Sequence, residues 1–135
     1  MKVLLAHRDL SLRARLRRLL RCLPDVRLVG DTTTGRGAIR KARLARPAVA
    51  VLGSTLRGPD CLETVRTIKT IRPRTQFIVL TVRHTKAHVR AARRSGANYC
   101  VPVRTLDVRL PSLLVLAYRD YLAAAGGSAP GYRRK

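Results

Sequence analysis

The chain has 135 residues, a length that suits one domain with a buried core and leaves little room for a second. Apolar residues make up 46% and charged residues 27%, which separates it from disordered and fibrous chains. Lys and Arg total 29 against 7 Asp and Glu, a formal charge of +22, and such a balance bears on partners, solubility and association kinetics rather than on fold.

Five short apolar runs, at 2–7, 26–31, 48–53, 76–81 and 98–103, are rich in Val, Leu or Ile. Their length and continuity predict strands buried on both faces. Each is followed by a stretch of helical pattern, at 10–22, 34–45, 61–71, 85–95 and 111–125. The punctuation agrees with this division. Pro24, Pro47 and Pro73 fall between a helix and the next strand, and Gly96 stands where the fourth helix should end in a left-handed turn. Strands alternating with helices imply right-handed crossovers and a five-stranded parallel, doubly wound α/β sheet with helices on both faces, flavodoxin-like in class. The functional crevice of such a sheet lies beyond the carboxyl ends of its strands, which here are His7-Arg8, Asp31-Thr32, Gly53-Ser54, Thr81-Val82 and Val103-Arg104. Residues 1–125 are expected to form the domain. From Gly126 the composition turns to Gly, Ser and Pro and ends in Arg133-Arg134-Lys135, which reads as a flexible basic tail over 126–135.

Cys22, Cys61 and Cys100 are odd in number and contain no CxxC pair, a pattern that suits neither a disulfide framework nor a zinc site. A reducing cytoplasm is the expected location. The opening run, Val3 to Ala6, is too short for the core of a signal peptide. No window reaches the ~18 consecutive apolar residues of a membrane span.

Several segments resemble the receiver domain of bacterial response regulators, over residues 2–125. Val3-Leu4-Leu5-Ala6 resembles its first strand, Asp31 to Ala38 the second strand's exit, and Pro47 to Leu62 the third strand and its loop. Ile78-Val79-Leu80-Thr81 is similar to the fourth strand with its terminal Thr or Ser, and Gly96-Ala97 precedes the fifth strand as in many members. The resemblance implies transfer of a phosphoryl group to an aspartate after the third strand. It also implies two acids after the first strand to hold Mg²⁺, and a lysine after the fifth. Mg²⁺ requires oxygen ligands and neutralises the charge that develops on the phosphoryl group. Here the two acidic positions fall on His7 and Arg8, and the acceptor falls on Gly53. The lysine falls on Val103, or on Pro102 in a register shifted by one, and only Thr81 is retained. A glycine offers no nucleophile and an arginine repels a cation, so the chain reads as a pseudo-receiver with no catalytic residue, metal or cofactor. The family's aromatic switch position falls on Cys100 beside Tyr99.

Other patterns are weaker. His7-Arg8-Asp9-Leu10 matches the kinase catalytic-loop tetrapeptide but lacks its downstream Asn, so Asp9 or Ser11 is expected simply to cap a helix. His84 and His88 stand four apart on a helix without a third ligand, which favours a solvated basic face over a metal. The three cysteines read as small buried or semi-buried groups. Arg8 opposite Ser54, Thr55 and Thr81 sketches an anion pocket, the plainer reading being Arg8 paired with Asp9 or solvated.

Arginine is more informative. Arg13, Arg17 and Arg21 stack on the first helix, Arg36, Arg40 and Arg43 on the second, and Lys86, Arg90 and Arg94 on the fourth. Like charges at this spacing repel by roughly 0.2–0.5 kcal/mol per pair, which an anionic partner relieves. Phe77, Tyr99, Tyr118, Tyr121 and Tyr132 suggest no stacking platform, and no recognition helix is visible. The fifth helix is apolar all round at 113–118, so Leu113, Leu116, Tyr118 and Tyr121 are expected at a homodimer or partner interface. The expected function is a stand-alone, non-phosphorylatable receiver-like regulator acting through protein binding in bacterial signalling or transcription. The alternative is a basic protein that contacts nucleic acid or the ribosome through phosphates. Membrane is not among the expected partners.

Overall fold

The computed structural model describes residues 1–126. Five parallel strands, β1 (Lys2–Ala6), β2 (Arg27–Thr32), β3 (Val49–Gly53), β4 (Gln76–Thr81) and β5 (Tyr99–Pro102), form one sheet in the order β2-β1-β3-β4-β5. The helices α1 (Leu10–Arg21), α2 (Gly35–Ala45), α3 (Cys61–Ile71), α4 (Lys86–Ser95) and α5 (Leu106–Gly126) connect and cover them. This is the doubly wound class predicted from the alternation, and its switch point lies where the order reverses between β1 and β3.

Side chains alternate across each strand, which explains why the runs of β1, β3 and β4 are apolar and buried on both faces; β2 departs from that expectation, because it is an edge strand in which only Gly30 is buried. Val3, Leu5, Val49, Val51, Ile78, Leu80 and Val101 meet α1 and α5 in one core layer. Leu4, Ala6, Ala50, Leu52, Phe77 and Val79 meet α2, α3 and α4 in the other. Four helices begin at a side-chain cap, from Asp9, Thr34, Asp60 and Thr85, so Asp9 is the expected cap of α1. Gly96 ends α4 with φ 116, as the sequence predicted.

Three boundaries differ from the sequence reading. A 3₁₀ turn, Val103–Thr105, leads directly into α5, which starts at Leu106 and carries Pro111 inside it; a helix begun at Pro111 would leave Leu106 and Leu110 outside a core in which both are fully buried. His84 lies before α4 because Thr85 is its N-cap, so the two histidines do not share a helical face. Gly126 closes α5 instead of opening a tail; the rest of the expected basic tail, 127–135, lies outside the described residues. No helix among the described residues is long and apolar enough to cross a membrane.

Candidate functional site at the strand exits

His7 follows β1 and is 2% exposed. Its backbone N–H donates to the Thr32 carbonyl (3.0 Å), which extends the β1–β2 ladder by one residue. The ring Nδ1 accepts from the Asp9 N–H (3.0 Å), and this bond places the neutral ring's proton on Nε2. Nε2 is buried and has no hydrogen-bond partner among the described residues. Burial holds the imidazole pKa below its ordinary value, against the opposing charge of Asp9.

The ring stands over Gly53. A Cβ at that position would come within 2.7 Å of Nε2 and 2.9 Å of Cγ, and closer still to Cδ2. Thus the side-chain volume missing at the end of β3 is filled from β1. Thr81 closes β4 with its hydroxyl 2.7 Å from His84 Nδ1 and 3.3 Å from the Val101 carbonyl. Ser54 Oγ accepts from the Val82 N–H at 3.4 Å. Val103, after β5, is half-buried, whereas Arg8 and Thr55 are exposed. The anion pocket sketched from Arg8, Ser54, Thr55 and Thr81 is therefore not drawn together: the guanidinium stands in solvent while Thr81 is turned into the fold. Among the described residues no three His, Cys, Asp or Glu side chains cluster as a metal would require. His88 is paired instead through Nδ1 with Thr85 (2.6 Å).

The arginine ridges are not equivalent. Arg13 and Arg17 clamp the Asp31 carboxylate of β2 at 2.9 and 2.6 Å, partly buried. Burial alone would raise the Asp31 pKa, but the bonds from Arg17 and Arg13 prevail and lower it. The α1 ridge thus differs from its sequence reading: Arg13 and Arg17 share one internal carboxylate, which offsets one of their two charges, and of the three only Arg21 is exposed. Arg36, Arg40 and Arg43 on α2, and Lys86, Arg90 and Arg94 on α4, are all exposed and outside the ion pairs of the described residues.

Most of the acids have structural duties, of which the sequence disclosed only the Asp9 cap. Asp9 and Asp60 cap helices. Asp107 pairs with Arg15, and Glu63 with Arg66. Asp120 accepts from the Tyr99 hydroxyl at 2.7 Å, and burial together with this bond pushes the phenol up to about 12. Where an acid has no such duty the chain carries almost none, which leaves the positive surface nearly unopposed.

On α5 the expected interface set divides. Leu113 is buried at 8% exposure, Tyr118 and Tyr121 are half-buried and pack partly against the core, and Leu116, at 37%, is the one member classed with the exposed side chains. The exposed apolar side chains are Val108, Val115 and Leu122 at 79%, 62% and 50%. Their seven-residue spacing was visible in the sequence and marks one stripe. Tyr118 and Tyr121 stack with centroids 6.2 Å apart, and Arg74 lies 4.2 Å over the Tyr121 ring. This pairing of two aromatics three residues apart is one the sequence reading did not single out. Cys22 is exposed, against the expectation of burial, whereas Cys61 is buried, its thiol pushed up to about 12 by desolvation.

No family model matches the chain. The chain is similar in structure to the signal receiver domain of NarL from Mycobacterium tuberculosis, with TM-score 0.80 and 20% identity over 86% of this chain and 94% of that one. It is similarly close to the response regulator domain of Thermotoga maritima CheB, with TM-score 0.77 and 21% identity over 90% and 96% of the two chains. A LuxR-family response regulator from Aurantimonas aligns with TM-score 0.82 and 22% identity over 87% and 84%. These likenesses establish the receiver-like fold. In sequence, 73 residues are 30% identical to protein-glutamate methylesterase/protein-glutamine glutaminase 1 of Methanosarcina acetivorans; the match takes in 54% of this chain but only about a fifth (21%) of that relative's length.

Proposed function

We propose that residues 1–125 form a pseudo-receiver, a cytoplasmic regulatory module that works by binding a protein partner or a second copy of itself and performs no phosphoryl transfer. The observation that carries this reading is the His7 ring over Gly53. A receiver of the ordinary kind needs a carboxylate and a metal at this point, and here an uncharged imidazole occupies the acceptor's space beside an exposed arginine. Substrate-level chemistry through Ser54 or Asp60 is not favoured, because Asp60 is engaged as a helix cap and Ser54 has no activating base among its hydrogen bonds. The test is intact-mass spectrometry after incubation with acetyl phosphate and Mg²⁺. No Mg²⁺-dependent adduct of ~80 Da, the mass of a phosphoryl group, is expected. Gly53→Asp alone is expected to remain unmodified, because no acids stand at positions 7 and 8 to hold the metal.

The partner surface fits the α5 stripe of Val108, Val115 and Leu122, whose apolar side chains stand in solvent. A second reading, contact with a polyanion such as nucleic acid, is favoured by a different observation: the α2 and α4 ridges are exposed while most of the acids are engaged within the fold. The two readings use different faces and are compatible.

A further inference from the structure

The strand exits occupy one pole of the sheet; the opposite pole, where the strands begin, holds a feature neither reading uses. Lys2 opens β1, Arg46 immediately follows α2, and Arg74 precedes β4 by two residues. Tyr118 and Tyr121, on the later turns of α5, reach the same place. These residues line a groove of about 390 Å³, and a smaller one of about 190 Å³ shares Arg46, Arg74 and Tyr121 as its wall. Among the described residues no acidic side chain lines either groove. The larger falls in the ~300–1,000 Å³ range of small-ligand clefts.

Its aromatic part is organised. Tyr118 and Tyr121 are near-parallel, 13° apart with centroids at 6.2 Å, and the Arg74 guanidinium lies over the Tyr121 ring at 4.2 Å from its centroid. Both rings are anchored by the core beneath them, so their positions are set before any ligand arrives. Arg72, which also lines the smaller groove, is committed elsewhere: it donates to the Ala42, Arg43 and Ile71 carbonyls and closes the end of α2. Lys2 gives only one long bond, 3.3 Å, to Ala45. Among the described lining residues, the side-chain charges left to face the larger groove are those of Lys2, Arg46 and Arg74.

Arg46 supplies a second, independent observation. It caps α2 in the left-handed conformation, φ 50 and ψ 62, the only non-glycine residue with positive φ among those described. Glycine or asparagine is the usual occupant of such a cap. An arginine here is disfavoured by its backbone, while its side chain lines both grooves.

We infer that this pole binds a single strand of nucleic acid, with a base stacked against the Tyr118, Tyr121 and Arg74 cluster and the adjoining phosphates on Arg46 and Lys2. Cations beside a preformed stack of π-faces are what unpaired bases require, and they tolerate any base. An acidic protein would satisfy the charges and leave the aromatic pair unused. A duplex keeps its bases stacked on one another and meets the helical ridges equally well. The inference rests on the polyanion reading for the sign of its ligand and goes beyond it in naming the site and the form of nucleic acid.

The test uses the full chain, fluorescence anisotropy at fixed salt, and three probes: labelled octauridylate, an abasic octamer of equal charge, and a duplex of the same length. Octauridylate is expected to bind about fivefold or more tightly than the abasic strand, the contribution of at least one stacked base. Tyr121→Leu should remove that difference, and Arg46→Gly and Arg74→Gln should each weaken octauridylate severalfold. Arg46→Gly also relieves the backbone, so its loss of affinity cannot come from unfolding, and melting curves verify this. Equal affinity for octauridylate and the abasic strand overturns the inference, as does wild-type affinity in Arg46→Gly and Arg74→Gln. If binding instead disappears only in a triple Arg36→Glu, Arg40→Glu, Arg43→Glu variant, the groove is overturned and the polyanion reading stands. If no probe binds, both fall.

Discussion

The His7 imidazole occupies the space that any side chain at Gly53 would need, bringing Nε2 to 2.7 Å from a Cβ built there. His7 directly follows β1 and Gly53 ends the neighbouring β3, so their contact is fixed by the sheet rather than by local sequence. Gly53→Ala is therefore expected to destabilise by about 1–3 kcal/mol, the range for overpacking a filled site. Combining it with His7→Ala should recover part of that loss, with a coupling of more than ~0.5 kcal/mol in a double-mutant cycle by urea unfolding. Additive effects would mean that the two positions do not touch.

His7 also gives the fold a pH dependence. Its folded pKa lies below the ordinary value of 6.5 because burial disfavours the charged ring. The unfolded chain then binds more protons as pH falls below 6.5, so the stability this ring confers is full above that pH and is lost as pH drops toward the folded pKa. Thermal melts at pH 7.5 and 5.5 should show a loss in the wild type that is smaller in His7→Leu. The Asp31 carboxylate, lowered from 3.8, acts in a separate and more acidic window.

Most of the architecture was legible because strands buried on both faces are continuous apolar runs and helices are not. The α5 start was missed because Pro111 reads locally as a helix opening, whereas the buried Leu106 and Leu110 decide the matter through tertiary packing. At the strand exits the lost acids were readable residue by residue from the resemblance, but the His7 ring filling the Gly53 space was not. Nor was the Asp31 clamp, which joins α1 to β2, or the Arg74–Tyr121 contact, whose partners are far apart in sequence. Contacts of this kind leave no periodic trace.

The corrected ridges change which arginines matter for polyanions. With duplex DNA, log K is expected to fall with log salt at a slope of about −0.9 per phosphate contact. Reversing Arg36, Arg40 and Arg43 to Glu should make that slope shallower with little change in melting temperature. Arg13→Gln and Arg17→Gln together should do the opposite, lowering stability because Asp31 loses both partners, while the slope changes little. A slope near zero in the wild type would remove the polyanion reading.

Association through α5 is expected to follow the exposed stripe and not Leu113. Val115→Arg should abolish a dimer in sedimentation, whereas Leu113, buried at 8% exposure, should destabilise the fold when replaced. Two chains of formal charge +22 repel, and salt screens that repulsion over a Debye length of ~8 Å at physiological ionic strength. Dimerisation should consequently tighten with salt, opposite in sign to nucleic-acid binding. A monomer at every salt concentration, or a dimer indifferent to Val115→Arg, removes this interface.

The central claim, that the strand exits are closed to phosphoryl chemistry, is tested most directly by NMR of the His7 ring and the Gly53 amide during titration with Mg²⁺ and beryllium fluoride, a mimic of the phosphoryl group. The account predicts a contact between the His7 ring protons and the Gly53 α-protons that persists throughout, with no saturable shift at His7, Gly53 or Thr81. Saturable shifts at these three residues that require both Mg²⁺ and beryllium fluoride would contradict it.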